Sequence, residues 1–191
     1  MQEPRVSDIV TVSPTIRPVR WPDDEAGLAL IDTSFATAQI YRVEQSGLSF
    51  CLIEEVADPP LNKSYGSVLA DADRLRRMGH VVVADLAGEL IGVVAADLSG
   101  WNGRVQIDHL RVSPKARGQG VGRALLSSAI TFARNIGAWC VWLETQNTNY
   151  AAVQFYQRCG FRLCGLDRRL YDPKTQLIEE TALFFALDLT T

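Results

Sequence analysis

The chain has 191 residues, 47% of them hydrophobic and 21% charged, and a formal net charge of −3. These values are typical of a soluble globular protein and argue against nucleic acid as a partner. The four cysteines include no Cys-X-X-Cys spacing and there are only two histidines, so we expect neither a disulfide framework nor a metal site. Residues 1–20 lack the apolar segment of a signal peptide, and no run has membrane-spanning length, which predicts a cytoplasmic protein without a membrane partner.

The N-terminal half is predicted to contain two strands and two helices. We expect residues 1–14 to form a flexible tail and residues 15–191 to form one domain. The predicted elements are a strand over Ile16–Arg20, a helix that begins at Trp21-Pro22-Asp23-Asp24 and runs to about Ser34, a strand over Leu48–Val56 and a helix over Ser67–Met78. The sequence Asp58-Pro59-Pro60 is expected to end the second strand.

The C-terminal half is richer in strand patterns. Strands are predicted over Val81–Asp85, Glu89–Leu98, Arg104–Val112, Trp139–Thr145, Phe161–Leu170 and Thr181–Leu189, and helices over Val121–Ile136 and Tyr150–Cys159. The strand–helix–strand unit from Ile107 through Leu143 should be parallel, whereas the hairpins should be antiparallel. The sequence therefore predicts an α+β (mixed α/β) fold, with a mixed, mostly antiparallel central sheet and helices on both faces.

A glycine-rich turn precedes the longest predicted helix. In Arg117-Gly118-Gln119-Gly120-Val121-Gly122-Arg123, three glycines alternate where the chain must turn tightly. The start of the helix offers N–H groups without intrahelical acceptors and the positive end of the helix dipole, which favours an anion. The turn lacks the Gly-Lys-Ser/Thr ending of a P-loop and the glycine spacing of a dinucleotide fingerprint. We therefore predict a phosphate-binding turn, and an ordinary tight turn is the alternative.

This turn and a second motif, Asn149-X-X-Ala152-X-X-Phe155-Tyr156-X-X-X-Gly160-Phe161, resemble the two acetyl-CoA motifs of the GNAT N-acetyltransferases. The resemblance implies the fold of that family, with a splay between two parallel strands, and acetyl-CoA as the acetyl donor. It also implies that the strand before the turn binds the pantetheine arm, that the turn holds the pyrophosphate and that Tyr156 lies near the thioester sulfur. The implied cofactor-binding residues are Leu110, Val112, Arg117, Gly118, Gln119, Gly120, Val121, Gly122, Arg123, Asn149 and Tyr156.

Acetyl transfer to an amine requires a base for the ammonium proton and benefits from a proton donor for the departing thiolate. Tyr156 is the candidate donor, because a phenol is protonated at neutral pH; the alternative is a half-buried core aromatic. Asp108 is the first candidate base and Glu144, on the neighbouring strand, is the second. Either carboxylate could instead be solvated or belong to a structural ion pair. Strand alternation predicts that His109 points away from the face of Asp108 and is packed rather than catalytic.

A narrower resemblance, over about Ser34 to Phe185, is to the streptothricin acetyltransferases, which are antibiotic-resistance members of this fold. It rests on segments such as Asp58-Pro59-Pro60-Leu61-Asn62-Lys63, Ser99-Gly100-Trp101-Asn102 and Leu143-Glu144-Thr145-Gln146-Asn147. The substrate-binding residues that it implies are Tyr41, Trp101, Asp108, Glu144, Asp167 and Tyr171. The chain departs from that family in two places. The first is the pair Asp108-His109, where the family usually has Glu-Asp. The second is a region that is strongly acidic in some members. In this chain that region contains Asp71 and Asp73 beside Arg74, Arg76 and Arg77.

We therefore predict an acetyl-CoA-dependent N-acetyltransferase that acts on a primary amine of a cationic small molecule. The resemblance implies that this molecule is streptothricin, acetylated on its β-lysine arm. With fewer acidic residues, the chain could capture that arm more weakly or take another amine. Two alternatives stay open: a protein, peptide or polyamine N-acetyltransferase of the same fold, and an acyl-CoA-binding module without catalysis. The sequence also allows a homodimer.

Overall fold

The computed structural model describes residues 13–175 and 179–189, so most of the predicted N-terminal tail lies outside the described residues. No helix in these two ranges is long and apolar enough to cross a membrane. The elements are β1 (Thr15–Pro18), α1 (Glu25–Ala29), β2 (Ser34–Ser46), β3 (Ser49–Ser64), α2 (Ala72–Arg77), β4 (His80–Leu86), β5 (Glu89–Ser99), β6 (Arg104–Val112), α3 (Val121–Asn135), β7 (Cys140–Gln146), α4 (Tyr150–Arg158), β8 (Arg162–Asp167) and β9 (Ala182–Asp188), with short 3₁₀ turns at Val68–Asp71, Pro114–Ala116 and Pro173–Thr175.

Seven of the strands form one sheet in the order β1-β4-β5-β6-β7-β9-β8. Strands β6 and β7 are parallel, because the crossover through α3 returns the chain to the same end of the sheet. The other neighbouring strands pair antiparallel. The prediction of a mixed, mostly antiparallel sheet is therefore confirmed.

The parallel strands β6 and β7 separate about half-way along their length. Their pairing begins at Arg104 and stops at Ile107, and the described residues of β6 beyond that point are not paired with β7. Strand β6 also has a bulge at Asp108, because Ile107 and His109 pair with consecutive residues of β5. The implied splay between two parallel strands is thus present, and it opens directly beside Asp108.

Alternation along the central strands divides the apolar side chains between two cores. In β4, Val82 and Ala84 belong to the core under α3, whereas Val81 and Val83 belong to the core that includes α1 and α2. The buried side chains of α3 recur at helical spacing, and they are Val121, Leu125, Leu126, Ala129 and Ala133. Helices therefore cover both faces of the sheet, as predicted.

The largest departure from the predicted elements is a long hairpin formed by β2 and β3. The sequence predicts a helix up to about Ser34, whereas α1 ends at Ala29 and Ser34 begins a strand of 13 residues. The prediction that Asp58-Pro59-Pro60 ends a strand is wrong, because β3 continues to Ser64. The two prolines lie within a register shift of the hairpin, where they need not donate a ladder hydrogen bond.

Polar contacts fix this hairpin to the end of the sheet where the splay opens. The Tyr41 N–H donates to the carbonyl of Asn147, which follows β7, and the Asn147 side chain donates to the Tyr41 carbonyl. Farther along the hairpin, Lys63 Nζ lies 2.6 Å from both carboxylate oxygens of Glu180, which is buried just before β9. These contacts hold β3 and the residue that follows it, Tyr65, beside the splay.

Candidate active site

A cavity of about 70 Å³ lies where β6 and β7 separate, next to the start of α4. Its wall is mainly polar and includes two carboxylates, a guanidinium group and two phenols. The lining residues are Tyr65, Ile107, Asp108, Leu110, Arg111, Glu144, Thr145, Gln146, Asn149, Ala152 and Tyr156. Five residues that the sequence singles out therefore share one cavity: Asp108, Leu110, Glu144, Asn149 and Tyr156.

Glu144 lies on β7, and its carboxylate accepts a hydrogen bond from the Tyr171 hydroxyl. Burial raises the pKa of Glu144, and the Tyr171 hydrogen bond and the positive charge of Arg111 oppose that shift. Burial and the carboxylate together raise the pKa of Tyr171, so this phenol remains the donor of the pair. A carboxylate with a raised pKa is a better acceptor for a proton from an ammonium group.

Asp108, at the bulge in β6, forms an ion pair with Arg74 of α2. The Asp108 side chain is 10% exposed and that of Arg74 is 59% exposed. Burial raises the pKa of Asp108, and the charge and hydrogen bond of Arg74 oppose the shift. The neighbouring His109 is not among the described lining residues, and burial lowers its pKa to about 4, which makes it neutral near pH 7.

Tyr156 projects from α4, and its ring is held by three phenylalanines. The centroid of its ring lies 5.3, 6.0 and 6.3 Å from those of Phe155, Phe161 and Phe185. Burial raises the pKa of the phenol, so that it is protonated at neutral pH. Among the described residues its hydroxyl has no hydrogen-bond partner, which leaves this donor available to a ligand.

Tyr65 and Arg111 line the cavity although no sequence pattern indicates them. The Arg111 guanidinium lies over the Tyr65 ring, 4.2 Å from its centroid. The Tyr65 hydroxyl accepts a hydrogen bond from Asn149 Nδ2 at 2.8 Å, and Asn149 Oδ1 caps α4 by accepting from the Ala152 N–H. The cavity therefore contains a positive charge stacked on an aromatic ring, and the Asn149 side chain connects that ring to α4.

The glycine-rich turn has the left-handed backbone that its glycines allow. Gly118 and Gly120 have φ values of 75° and 84°, and Gly120 is the N-cap of α3. Within the described chain, the backbone N–H groups from Gly118 to Arg123 have no hydrogen-bond acceptor. The Arg117 side chain braces the turn by donating to the Val112 carbonyl at 2.9 Å. Consecutive unpaired donors at the start of a 15-residue helix suit a pyrophosphate group.

The other residues predicted to bind the cofactor lie in or beside this turn. Gln119 donates its side-chain amide to the carbonyl of Lys115 at 2.9 Å, and Arg123 is exposed. Val121 is the first residue of α3 and is buried in the core. At Gly122, a Cβ would lie 3.5 Å from the Phe155 ring, so α3 approaches α4 closely at this residue. Val121 therefore anchors the start of α3 in the core, and the Gln119 hydrogen bond lies within the turn region.

A model of the acetyltransferase (GNAT) family matches residues 41–161, which include the splayed strands, the glycine-rich turn and α4. The chain belongs to the GNAT family of acetyltransferases. It is similar to the streptothricin acetyltransferase of Streptomyces lavendulae, with 40% identity over 176 residues that cover 87% of this chain and 90% of the relative. It is also similar to the streptothricin acetyltransferase of Escherichia coli, with 36% identity over 97 residues that cover 51% of this chain and 55% of the relative.

Two crystal structures show the same GNAT fold. Nourseothricin acetyltransferase superposes with a TM-score of 0.82 and 38% identity, covering 92% of this chain and 98% of that protein. A Bacillus anthracis protein assigned as a streptothricin acetyltransferase, in complex with acetyl coenzyme A, has a TM-score of 0.78 and 27% identity, covering 92% and 99%. The predicted fold and the prediction of an N-acetyltransferase are confirmed, and the second structure supports acetyl-CoA as the co-substrate of this GNAT chain.

Three predicted substrate contacts lie outside the cavity of this GNAT protein. Tyr41 is buried in the core, where its hydroxyl donates to Glu54 and accepts from Gln154. Trp101 lies in the turn between β5 and β6 and is 86% exposed. Asp167 ends β8 and accepts a hydrogen bond from a backbone N–H two residues later. By contrast, Tyr171 reaches the site through its hydrogen bond to Glu144.

Proposed function

We propose that this GNAT enzyme acetylates a primary amine of streptothricin, on the β-lysine arm, with acetyl-CoA as the donor. The observation that carries the proposal is the 40% identity to a streptothricin acetyltransferase, since it extends over 87% of the chain and so beyond the two acetyl-CoA motifs. The carboxylates of Asp108 and Glu144 support it, because they give the cavity groups that bind alkylammonium ions.

Acetyl-CoA would be held mainly by backbone groups. The unpaired N–H groups from Gly118 to Arg123 would bind its pyrophosphate. The part of β6 beyond Ile107 that is not paired with β7, which includes Leu110 and Val112, would bind the pantetheine arm. This arm would then lead into the cavity beside Tyr156. When bound, acetyl-CoA supplies an activated acetyl thioester.

We assign the proton acceptor to Glu144 and the binding of the ammonium group to Asp108. The reaction is expected beside the Tyr156 hydroxyl. Glu144 lies close enough to this phenol to raise its pKa. Tyr171 orients the Glu144 carboxylate, and burial raises its pKa and so strengthens it as a base. Asp108 already binds a cationic group, the Arg74 guanidinium, and would bind an ammonium group in the same way.

Tyr156 would donate a proton to the sulfur of the departing thiolate. Its hydroxyl is protonated and has no other partner among the described residues, and the three phenylalanines fix its ring. The protons balance as follows: the ammonium group gives one proton to Glu144, which passes it to water, and the neutral amine forms the N–C bond; the C–S bond then breaks as the sulfur receives the proton of Tyr156, and the second proton of the nitrogen passes to Glu144. Proton exchange with water restores both residues.

Release of free CoA thiol, measured with streptothricin, aminoglycosides, polyamines and peptides as acceptors, tests this proposal. We expect rapid turnover of streptothricin, slow or no turnover of peptides, and increased tolerance of streptothricin in a sensitive bacterium that expresses the protein. Turnover of other amines, with streptothricin ignored at millimolar concentration, would refute the substrate and leave the acetyl transfer. Binding of acetyl-CoA without thiol release for any amine would indicate a binding module instead.

A further inference from the structure

We propose that Arg74 occupies the position at Asp108 that an ammonium group of the acceptor takes, so that the acceptor must displace Arg74 in order to bind. The proposal rests on the proposed amine acceptor but does not require that acceptor to be streptothricin. The observation that carries it is an ion pair between Arg74, in the basic helix α2, and Asp108, in the wall of the cavity.

The two partners of this ion pair differ in their freedom to move. The Arg74 side chain is 59% exposed, and Asp108 is the one described group that accepts a hydrogen bond from its guanidinium. The Asp108 side chain is 10% exposed, lies at the bulge of a central strand and lines the cavity. A side chain that is mostly in water can rotate away at little cost, whereas a buried carboxylate cannot follow it. Arg74 is therefore the movable partner.

Displacement by a cation preserves the charge balance around Asp108. Burial and the neighbouring Asp97 raise the pKa of Asp108, whereas the charge and the hydrogen bond of Arg74 lower it and so favour the ionised carboxylate. An incoming ammonium group replaces one positive charge with another. A neutral ligand that displaced Arg74 would leave a desolvated carboxylate without a cation, which is unfavourable. Arg74 thus weakens the binding of every acceptor and selects cationic acceptors over neutral ones.

Arg74→Gln tests this competition, with Arg77→Gln as the matched control. Arg77 lies on the same helix, is exposed and makes no ion pair with the described residues, so both variants remove one positive charge from α2. We expect Arg74→Gln to lower the KM of a polycationic acceptor roughly 2- to 10-fold relative to Arg77→Gln, with kcat and the KM of acetyl-CoA unchanged. Adding Asp108→Asn to Arg74→Gln should abolish this gain relative to Asp108→Asn alone.

Equal acceptor KM values in the two glutamine variants, or a higher value in Arg74→Gln, would overturn the proposal. The acceptor in this experiment is whichever amine the enzyme acetylates, so failure of streptothricin as a substrate leaves the test intact. Calorimetric titration of the same variants with spermidine measures the competition without catalysis, and there Arg74→Gln should bind more tightly than Arg77→Gln. Unchanged affinity for acetyl-CoA shows that each variant is folded.

Discussion

Replacing Gly120 with valine places a side chain at a residue of the glycine-rich turn that has a left-handed backbone. Gly120 is the N-cap of α3 and has a φ of 84°, a left-handed conformation that costs an L-residue about 1–2 kcal/mol. A Cβ at this position would meet no atom within 4 Å. The cost is therefore conformational rather than steric, and we expect the valine variant to fold.

This conformational cost sets the size of the expected effect. The N–H groups from Gly118 to Arg123 can converge on a pyrophosphate only while the turn keeps its shape. If the valine variant relaxes its turn, binding must restore the left-handed φ, and about 1–2 kcal/mol corresponds to roughly 5- to 30-fold weaker binding of acetyl-CoA. If the variant keeps the original φ, the same cost lowers the Tm by about 2–8 °C for a chain of this size.

Calorimetric titration with acetyl-CoA and with S-acetylpantetheine isolates the contribution of the pyrophosphate. The second thioester lacks that group, so Gly120→Val should weaken the binding of acetyl-CoA and leave that of S-acetylpantetheine unchanged. Gly122→Ala is the control, because its Cβ would make an ordinary 3.5 Å contact with Phe155 and alanine is favoured over glycine within a helix by up to about 1 kcal/mol. An equal loss for both thioesters would refute the assignment of the pyrophosphate to this turn, and unchanged affinity together with an unchanged Tm would refute the conformational cost assigned to a side chain at Gly120.

Three further substitutions test the cavity and the support of the hairpin. Tyr156→Phe should lower kcat about 10- to 1,000-fold with little change in acetyl-CoA affinity, because the ring supplies the packing and the hydroxyl the proton; an unchanged kcat, with chemistry rate-limiting, would make Tyr156 a packing residue. Tyr171→Phe removes a hydrogen bond to ionised Glu144, so the pKa of Glu144 rises and the acidic limb of the kcat/KM profile moves to higher pH; an unmoved limb would exclude Glu144 as the base. Lys63→Met removes the cation facing buried Glu180 and should lower the free energy of urea unfolding by about 1–3 kcal/mol. In Lys115→Met, which breaks an exposed pair with Glu89, we expect a change below about 0.5 kcal/mol, and equal effects of the two methionine variants would contradict this reasoning.

The sheet and helices of the C-terminal half could be predicted because their signals are local. Strands β4 and β5 are continuous apolar runs, α3 has helical spacing of its buried residues, and glycines mark the turn before it. The β2–β3 hairpin is predicted only in part: the strand expected over Leu48–Val56 covers the first half of β3, whereas no strand is expected over β2. Tyr41 is the one buried residue of β2 and Ala57 that of β3, so neither strand shows the alternation of a half-buried strand. The prolines of β3 then indicated a break where the structure has a register shift.

Within the site, the sequence could indicate residue types but not their partners. Asp108, Glu144 and Tyr156 belong to local motifs, and the structure brings all three to one cavity. The ion pair of Asp108 with Arg74 joins separate elements, and a sequence pattern does not show which cation meets which carboxylate. Tyr41 illustrates the same limit, since an aromatic residue on a strand has the same local signal in a core as in a pocket.

The cavity also contains a fixed cation, Arg111, in a site proposed for cationic substrates. Its charge lowers the pKa of both Glu144 and Tyr156, against the effect of burial. In the proposed mechanism, an ammonium group beside Glu144 would share the cavity with this guanidinium, and repulsion between the two would lower the pKa of the ammonium group. The same charge favours the ionised form of Glu144, which is the form that accepts the proton. Both effects favour a neutral amine beside Tyr156, and only a neutral amine has the lone pair that attacks a thioester. A positive charge in the wall is therefore compatible with the proposed cationic substrate, because Asp108 would bind the ammonium form and Arg111 would favour its deprotonation.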